Sequence, residues 1–273
     1  MTPLTYLFVP GNRPERFAKA LASHADRVIL DLEDAVSPQD KASARASIGS
    51  WLASAEPASR ARVLVRINDA LSPWHTDDLA WLQSQPLSEV MLSKCETPEQ
   101  VAVVLRHLPA GAQVLPLMET VRGVHGAVAI AQAPGVSRLA FGSIDYQLDL
   151  GVDTHSPALE YAAVALTVAS RLADLPAPVA GVTPDLDPSV VAADAEHALA
   201  LGMGAKLCIH PQQIDAARQA FVPSPSTVAW AHRVVDTWEH TQHPGAVQVD
   251  ARMVDKPVYL RARRLLAQSP ISV

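Results

Sequence analysis

Two carboxylates stand where chemistry is easiest to read. Glu119 closes the apolar run Gln113–Met118, and Asp145 follows the run Arg138–Phe141 in a polar turn. Between them, 120–132 has helical spacing, with Val121, Val124, Val128 and Ala131 on one face, and Ala133-Pro134-Gly135 stops it. Strand, helix and strand make a βαβ unit with parallel strands, so both acids emerge at one C-terminal sheet edge, where parallel α/β folds bind ligands. Two carboxylates meeting there with no evident cation between them repel. A hard divalent ion resolves the repulsion, and Mg²⁺ is commonly held by one or two carboxylates plus waters and substrate oxygens. The plainer alternative makes each acid a helix N-terminal carboxylate favoured by the dipole.

Other strand ends carry candidates of their own. Asp31, Glu33 and Asp34 crowd the end of the run Arg27–Leu30, a costly arrangement unless partners are present. They read either as a solvated loop capping the next helix or as a shell that hydrogen-bonds the waters of a cation. Arg66 follows the run Arg62–Val65. It is a rim salt bridge to one of those acids or a fixed, forked cation for a carboxylate or a developing enolate. Lys94, after Glu89–Leu92, has the chemistry of a Schiff-base nucleophile, although pairing with a neighbouring acid is the commoner role for a strand-end lysine. Cys95 suits a small core residue better than a nucleophile. His210 ends the run Lys206–Ile209 with no His or Cys at ligand spacing, which is weak support for zinc.

Positioning these residues takes eight strand-like runs alternating with helical ones, the pattern of an α/β (β/α)₈ TIM barrel. A doubly wound open sheet is disfavoured because no G-x-G-x-x-G follows the first strand. The 273 residues suit one such barrel, expected over 1–222, with a helix–loop–helix extension over 223–273 beyond the hinge-like Val222-Pro223-Ser224-Pro225-Ser226. That extension is expected to pack on its own barrel, to close as a lid or to reach a neighbouring subunit. Hydrophobic residues are 49% and charged residues 18%, so the chain is globular. The net charge of −6 argues against general nucleic-acid binding. No apolar run reaches membrane-span length. The opening M-T-P-L-T-Y-L-F-V-P-G lacks a signal peptide's basic start, and Cys95 and Cys208 alone make no disulfide framework, so a reducing, cytoplasmic setting is expected.

The motifs L-F-V-P-G-N-R-P-E-R-F (7–17), V-I-L-D-L-E-D-A-V (28–36), V-R-I-N (65–68), L-M-E-T-V-R-G (117–123), F-G-S-I-D-Y-Q-L-D-L-G (141–151), K-L-C-I-H-P-Q-Q (206–213) and M-V-D-K-P-V (253–258) span nearly the whole chain in order. Together they resemble the citrate lyase beta-subunit-like family of metal-dependent carbon–carbon lyases, with its malyl-CoA and citramalyl-CoA relatives. The resemblance implies Mg²⁺, with Mn²⁺ as substitute, held by Glu119 and Asp145. It implies that Arg66 binds substrate and stabilises an enolate, that Asp31, Glu33 and Asp34 lie beside the metal's waters, and that Gly142, Lys94 and His210 line the substrate site. It suggests Asp255, otherwise an ordinary loop aspartate, as general acid/base from a neighbouring subunit of a homotrimer or other homo-oligomer. The implied partners are a 2-oxo acid and an acyl thioester of CoA or a carrier protein. Ser93 stands where relatives often have Pro, and Ala205 where many have Gly. Both are expected at the acyl-carrier rim, where they bear on thioester recognition more than on metal chemistry. The nearest alternatives are an aldolase on free 4-hydroxy-2-oxo acids and a non-catalytic metabolite-binding or scaffold subunit.

Overall fold

A computed structural model describes residues 2–241 and 245–268. Met1, 242–244 and 269–273 lie outside the described residues, and with them the outer ends of the two expected segments. The chain divides into two compact units, residues 2–221 and a smaller one over Val222–Val273.

The first unit alternates strand and helix. Its opening half runs β1 (Thr5–Pro10), α1 (Phe17–Leu21), β2 (Arg27–Asp31), α2 (Lys41–Ser54), α3 (Pro57–Arg60), β3 (Val63–Ile67), α4 (His75–Leu82), β4 (Glu89–Leu92) and α5 (Pro98–Leu105). It continues with β5 (Gln113–Met118), α6 (Val121–His125), α7 (Ala127–Ala131), β6 (Ala140–Phe141), α8 (Ser143–Leu150), α9 (Pro157–Leu172), β7 (Val179–Ala180), α10 (Pro188–Ala200), β8 (Ala205–Cys208) and α11 (Ile214–Phe221). Every neighbouring pair is parallel, and β8 pairs with β1, so the sheet closes into an eight-stranded barrel.

Strand periodicity sorts the side chains into two cores. Tyr6, Ile29, Leu64, Met91, Leu115, Leu117, Ala140, Val179, Ala205 and Leu207 fill the barrel. Their strand neighbours, such as Val28, Leu30, Val65, Leu92 and Cys208, pack outward against helices. Two steps beyond Ile29, Leu64, Met91, Leu117 and Ala140 come Asp31, Arg66, Ser93, Glu119 and Gly142. The same alternation that builds the hydrophobic interior therefore sends these residues inward at its C-terminal end. The N-terminal end is closed differently: Arg138 is buried, bonded to the carbonyls of Pro3 and Ala177 and lying over the Tyr6 ring.

Several sequence expectations need correction. The helix expected over 120–132 breaks at Gly126 into α6 and α7, and its buried face is Gly123, Val124, Ala127, Ile130 and Ala131, while Val121 and Val128 are exposed. Gly123 sets that face. A β-carbon there would lie 2.5 Å from the Cys95 carbonyl oxygen, so this is where the helix comes closest to the chain after β4. Arg66 sits within β3 rather than after it, and Asp145 sits in the first turn of α8 rather than in a turn. Ala205 opens β8 inside the barrel core, well short of the rim expected for it.

The second unit consists of α12 (Pro225–His240), the antiparallel hairpin β9 (Val247–Val249) and β10 (Arg252–Val254), and α13 (Lys256–Gln268). Ala231, Val234, Val249, Val254 and Ala262 form its core. Trp238 stacks on Tyr259 with ring centroids 5.2 Å apart. No helix among the described residues is long and apolar enough to cross a membrane.

Candidate active site

The inward layer at the C-terminal end of the barrel is charged. Arg66 reaches Asp31 by two bonds, Nε to Oδ1 at 2.6 Å and Nη2 to Oδ2 at 2.7 Å, and Nη1 meets Glu33 Oε2 at 2.7 Å. Its face lies over Phe8, 4.8 Å from the ring centroid. Asp31 also accepts the backbone N–H groups of Glu33 and Ala35 at 2.9 and 3.1 Å. Both Asp31 oxygens accept bonds from Arg66 and from the turn that follows β2, so this residue anchors the guanidinium. Burial works against its ionisation, but the Arg66 charge and these bonds outweigh it and hold the carboxyl below its ordinary value. Burial likewise disfavours the Arg66 cation, and the Asp31 and Glu33 charges overcome it.

Glu119 is buried just past β5. Its Oε1 accepts the Lys94 backbone N–H at 2.8 Å, and Oε2 makes no hydrogen bond among the described residues. Burial first, then the charge of Glu33 and, less strongly, that of Asp145, push its carboxyl up to about 8 against the pull of Arg66 and Lys94. Gly142 makes room for it, because a β-carbon at that position would collide with Cβ and Oε2 of Glu119. Three residues on, Asp145 is half-exposed with Oδ1 at 3.8 Å from the Lys94 ammonium. Both acids engage one residue, which bonds Glu119 through its backbone and brings a cation beside Asp145.

That cation is Lys94. Its ammonium ion-pairs Glu33 as well as approaching Asp145. Burial disfavours the charge, and the Glu33 contact and the nearby carboxylates more than restore it, so its pKa lies above the ordinary lysine value. Lys94 has φ of +46°, a left-handed conformation that costs a non-glycine residue about 1–2 kcal/mol. Glu33 is mostly buried, and burial raises its pKa despite Arg66 and Lys94. Asp34 is exposed on the far side of the turn.

The other expected residues make bonds of their own. The exposed His210 caps a short turn, its Nδ1 accepting the Gln212 N–H at 3.2 Å. Asp255 belongs to the second unit, where Oδ1 accepts the Val258 N–H at 3.3 Å in the first turn of α13. Cys95 and Cys208 are core residues, their thiols pushed up to about 12 by burial. Ser93 is buried and donates to the Ile67 carbonyl at 2.9 Å.

A polar network behind the cluster escaped the sequence reading. Buried Lys41 donates to the Leu32 and Glu33 carbonyls and to Asn68 Oδ1 at 2.7, 2.8 and 2.8 Å. Asn68 is tied to Asp78 Oδ2, and Asp78 Oδ1 pairs with Arg45 at 2.7 Å. The network fixes the turn carrying Glu33 against the end of β3. Its signal was a lysine in phase with Ala44, Ile48 and Leu52 on the buried face of α2. A cavity of about 1040 Å³ lined by Phe141, Ser143, Gly181, Asp194 and Lys206, among others, is bordered by neither Glu119 nor Asp145.

Among the described residues no group of three or more His, Cys, Asp and Glu is placed to hold a metal. The chemistry of the donor set nevertheless suits a hard divalent ion. Glu119 has an oxygen free of hydrogen bonds among the described residues, and Asp145 is accessible. Mg²⁺ accepts so few protein ligands when waters and substrate oxygens complete its octahedron.

Fold and site define the class: a (β/α)₈ barrel with a charged inner layer at its C-terminal end, the face where enzymes of this fold keep their active sites. The chain belongs to the HpcH/HpaI aldolase/citrate lyase family, whose pattern matches residues 4–211, and the family supports a lyase-type activity. It is 36% identical over 271 residues to a citrate lyase subunit beta-like protein of Deinococcus radiodurans, covering 96% of this chain and 95% of that one. It is 29% identical to a (3S)-malyl-CoA thioesterase of Cereibacter sphaeroides, covering 96% and 93%. The crystal structure of CitE from Mycobacterium tuberculosis in complex with magnesium, acetoacetate and coenzyme A matches with a TM-score of 0.87 at 32% identity, covering 98% of both chains. The citrate lyase beta subunit of the same organism, complexed with oxaloacetate and magnesium, matches with a TM-score of 0.72 at 32% identity over 81% of this chain and 97% of that one.

Proposed function

We propose that this protein is a Mg²⁺-dependent carbon–carbon lyase acting on a β-hydroxyacyl thioester such as malyl-, citramalyl- or citryl-CoA. The products are an acetyl or propionyl thioester and a 2-oxo acid, and the reverse condensation uses the same groups. The observation that carries this reading is the buried Glu119 carboxyl, one oxygen free of hydrogen bonds among the described residues, at the same C-terminal barrel end as Asp145. The magnesium-bound structures of similar proteins support it.

In this reading Glu119 and Asp145 hold Mg²⁺, or Mn²⁺ in its place. Bound there, the ion supplies Lewis-acid and template chemistry toward the hydroxyl and carboxylate oxygens of the substrate. Arg66 is held rigid by Asp31 and Glu33, and its remaining N–H groups serve a substrate carboxylate or the enolate oxygen of the departing thioester. Glu33 holds Arg66 and Lys94, and Gly142 leaves space for Glu119. As the hydroxyl proton passes to a base, the carbon–carbon bonding pair moves onto the thioester α-carbon. Asp255 returns a proton to that carbon. The second unit, residues 223–273, acts as lid or oligomerisation segment and brings Asp255 to a site within a homotrimer or other homo-oligomer.

Malyl-, citramalyl- and citryl-CoA, offered with Mg²⁺ and with EDTA, test the proposal. Release of acetyl- or propionyl-CoA plus a 2-oxo acid, abolished by EDTA and restored by Mg²⁺, is the expected result. Hydrolysis to free CoA without a 2-oxo acid would align the chain with its thioesterase relatives. Turnover of free 4-hydroxy-2-oxo acids alone would make it an aldolase, in keeping with the other half of the family's description.

A further inference from the structure

Lys94 reaches three carboxylates of the cluster by two separate routes. Its backbone N–H holds Glu119 Oε1 at 2.8 Å, while its ammonium pairs with Glu33 and stands 3.8 Å from Asp145 Oδ1. The backbone route needs no lysine: at φ of +46° a glycine or asparagine would present the same N–H with less strain. The choice of lysine therefore lies with its side chain. That side chain is 31% exposed, and its four-carbon stem lets the ammonium shift without disturbing the strand end. Arg66, the other cation present, has no such freedom, being buried and bonded through three of its N–H groups.

The charges give the lysine a definite task. Arg66 is matched to Asp31. Arg66 also bonds Glu33, and Lys94 brings the ammonium that reaches both Glu33 and Asp145; Asp145 has no other ion-pair partner among the described residues. We infer that Lys94 is a tethered counter-cation of the cluster. It balances Glu33 and Asp145 when no metal is bound, and entry of a divalent ion would take Asp145 from its ammonium and leave Lys94 on Glu33. Lys94 thereby limits how tightly the ion is held. The inference rests on the reading of Glu119 and Asp145 as the metal-holding pair, and it assigns Lys94 to the metal equilibrium rather than to the substrate.

Calorimetric Mg²⁺ titrations of the full chain and of Lys94→Met, Lys94→Arg and Glu119→Gln, with thermal melts in EDTA, test it. Lys94→Met is expected to bind Mg²⁺ roughly tenfold tighter through loss of the competing charge, to melt lower than wild type in EDTA, and to gain more from saturating Mg²⁺. Lys94→Arg, which keeps the charge, stays near wild type. If Lys94→Met binds no tighter and melts unchanged in EDTA, the inference is overturned. Should that variant fail to fold, acetic anhydride labelling of the wild-type chain decides. Lys94 is one of five lysines and is resolved by peptide mapping; its labelling must rise when Mg²⁺ is added, and equal labelling overturns the inference. Wild type that binds while Glu119→Gln does not, together with an unmoved Lys94→Met, removes this inference alone. Wild type that binds no Mg²⁺ removes the lyase reading with it.

Discussion

Glu119 concentrates the electrostatic problem of the barrel in one side chain. Its carboxyl, at about 8, stands above the ordinary 4.5 because burial and the charges of Glu33 and Asp145 disfavour ionisation more than Arg66 and Lys94 favour it. The sign of the pH dependence follows. Between those two values the metal-free folded chain keeps a proton that the unfolded chain has released, so the Glu119 contribution to stability is whole below 4.5 and drains away as pH rises through 8. Metal binding needs the carboxylate, so Mg²⁺ affinity climbs over the same range and levels off above it. Glu119→Gln is expected to abolish measurable Mg²⁺ binding and to flatten that part of the melting-temperature profile in EDTA. A variant that binds Mg²⁺ at pH 8 as wild type does, or that reproduces the wild-type slope, refutes the assignment.

At the scale of elements, the site is the continuation of the strands. Asp31, Arg66, Ser93, Glu119 and Gly142 each lie two residues beyond an interior hydrophobic, and this alternation was legible in the chain because buried parallel strands read as short apolar runs ending in polar residues. The register of the helices was not legible. Val121, Val124, Val128 and Ala131 make an apolar stripe as regular as the true one, and only the contact of Gly123 with the Cys95 carbonyl selects the other. Lys94 was legible as a strand-end lysine pairing with a neighbouring acid, and Glu33 and Asp145 are those acids; its left-handed backbone leaves no mark in composition. Gly142, by contrast, is a letter of a motif whose necessity is steric. Gly142→Ala drives a methyl into Glu119, and such overpacking typically costs about 1–3 kcal/mol. The variant is expected to melt lower and to bind Mg²⁺ more weakly. Gly245→Ala, where a β-carbon meets nothing within 4 Å, serves as the control and leaves both unchanged.

At the scale of the whole molecule, the open question is how the two units divide the chemistry. The barrel unit carries the acidic cluster, and the second unit carries Asp255 on a core of five fully buried side chains. Residues 222–273 hold six basic and four acidic side chains, so that segment is positive within a chain of net charge −6. Whether Asp255 acts in its own copy or in a neighbour is decided by complementation. Asp255→Asn is expected to lose turnover while keeping wild-type Mg²⁺ affinity, because Asp255 holds no metal in this scheme, and Glu119→Gln loses both. Each variant alone is inactive. If Asp255 acts across a subunit boundary, unfolding and refolding the two variants together returns up to about a quarter of wild-type turnover, since random assembly pairs intact donors at that frequency. If Asp255 serves its own barrel, every chain in the mixture carries one broken site, and no activity returns however the subunits exchange.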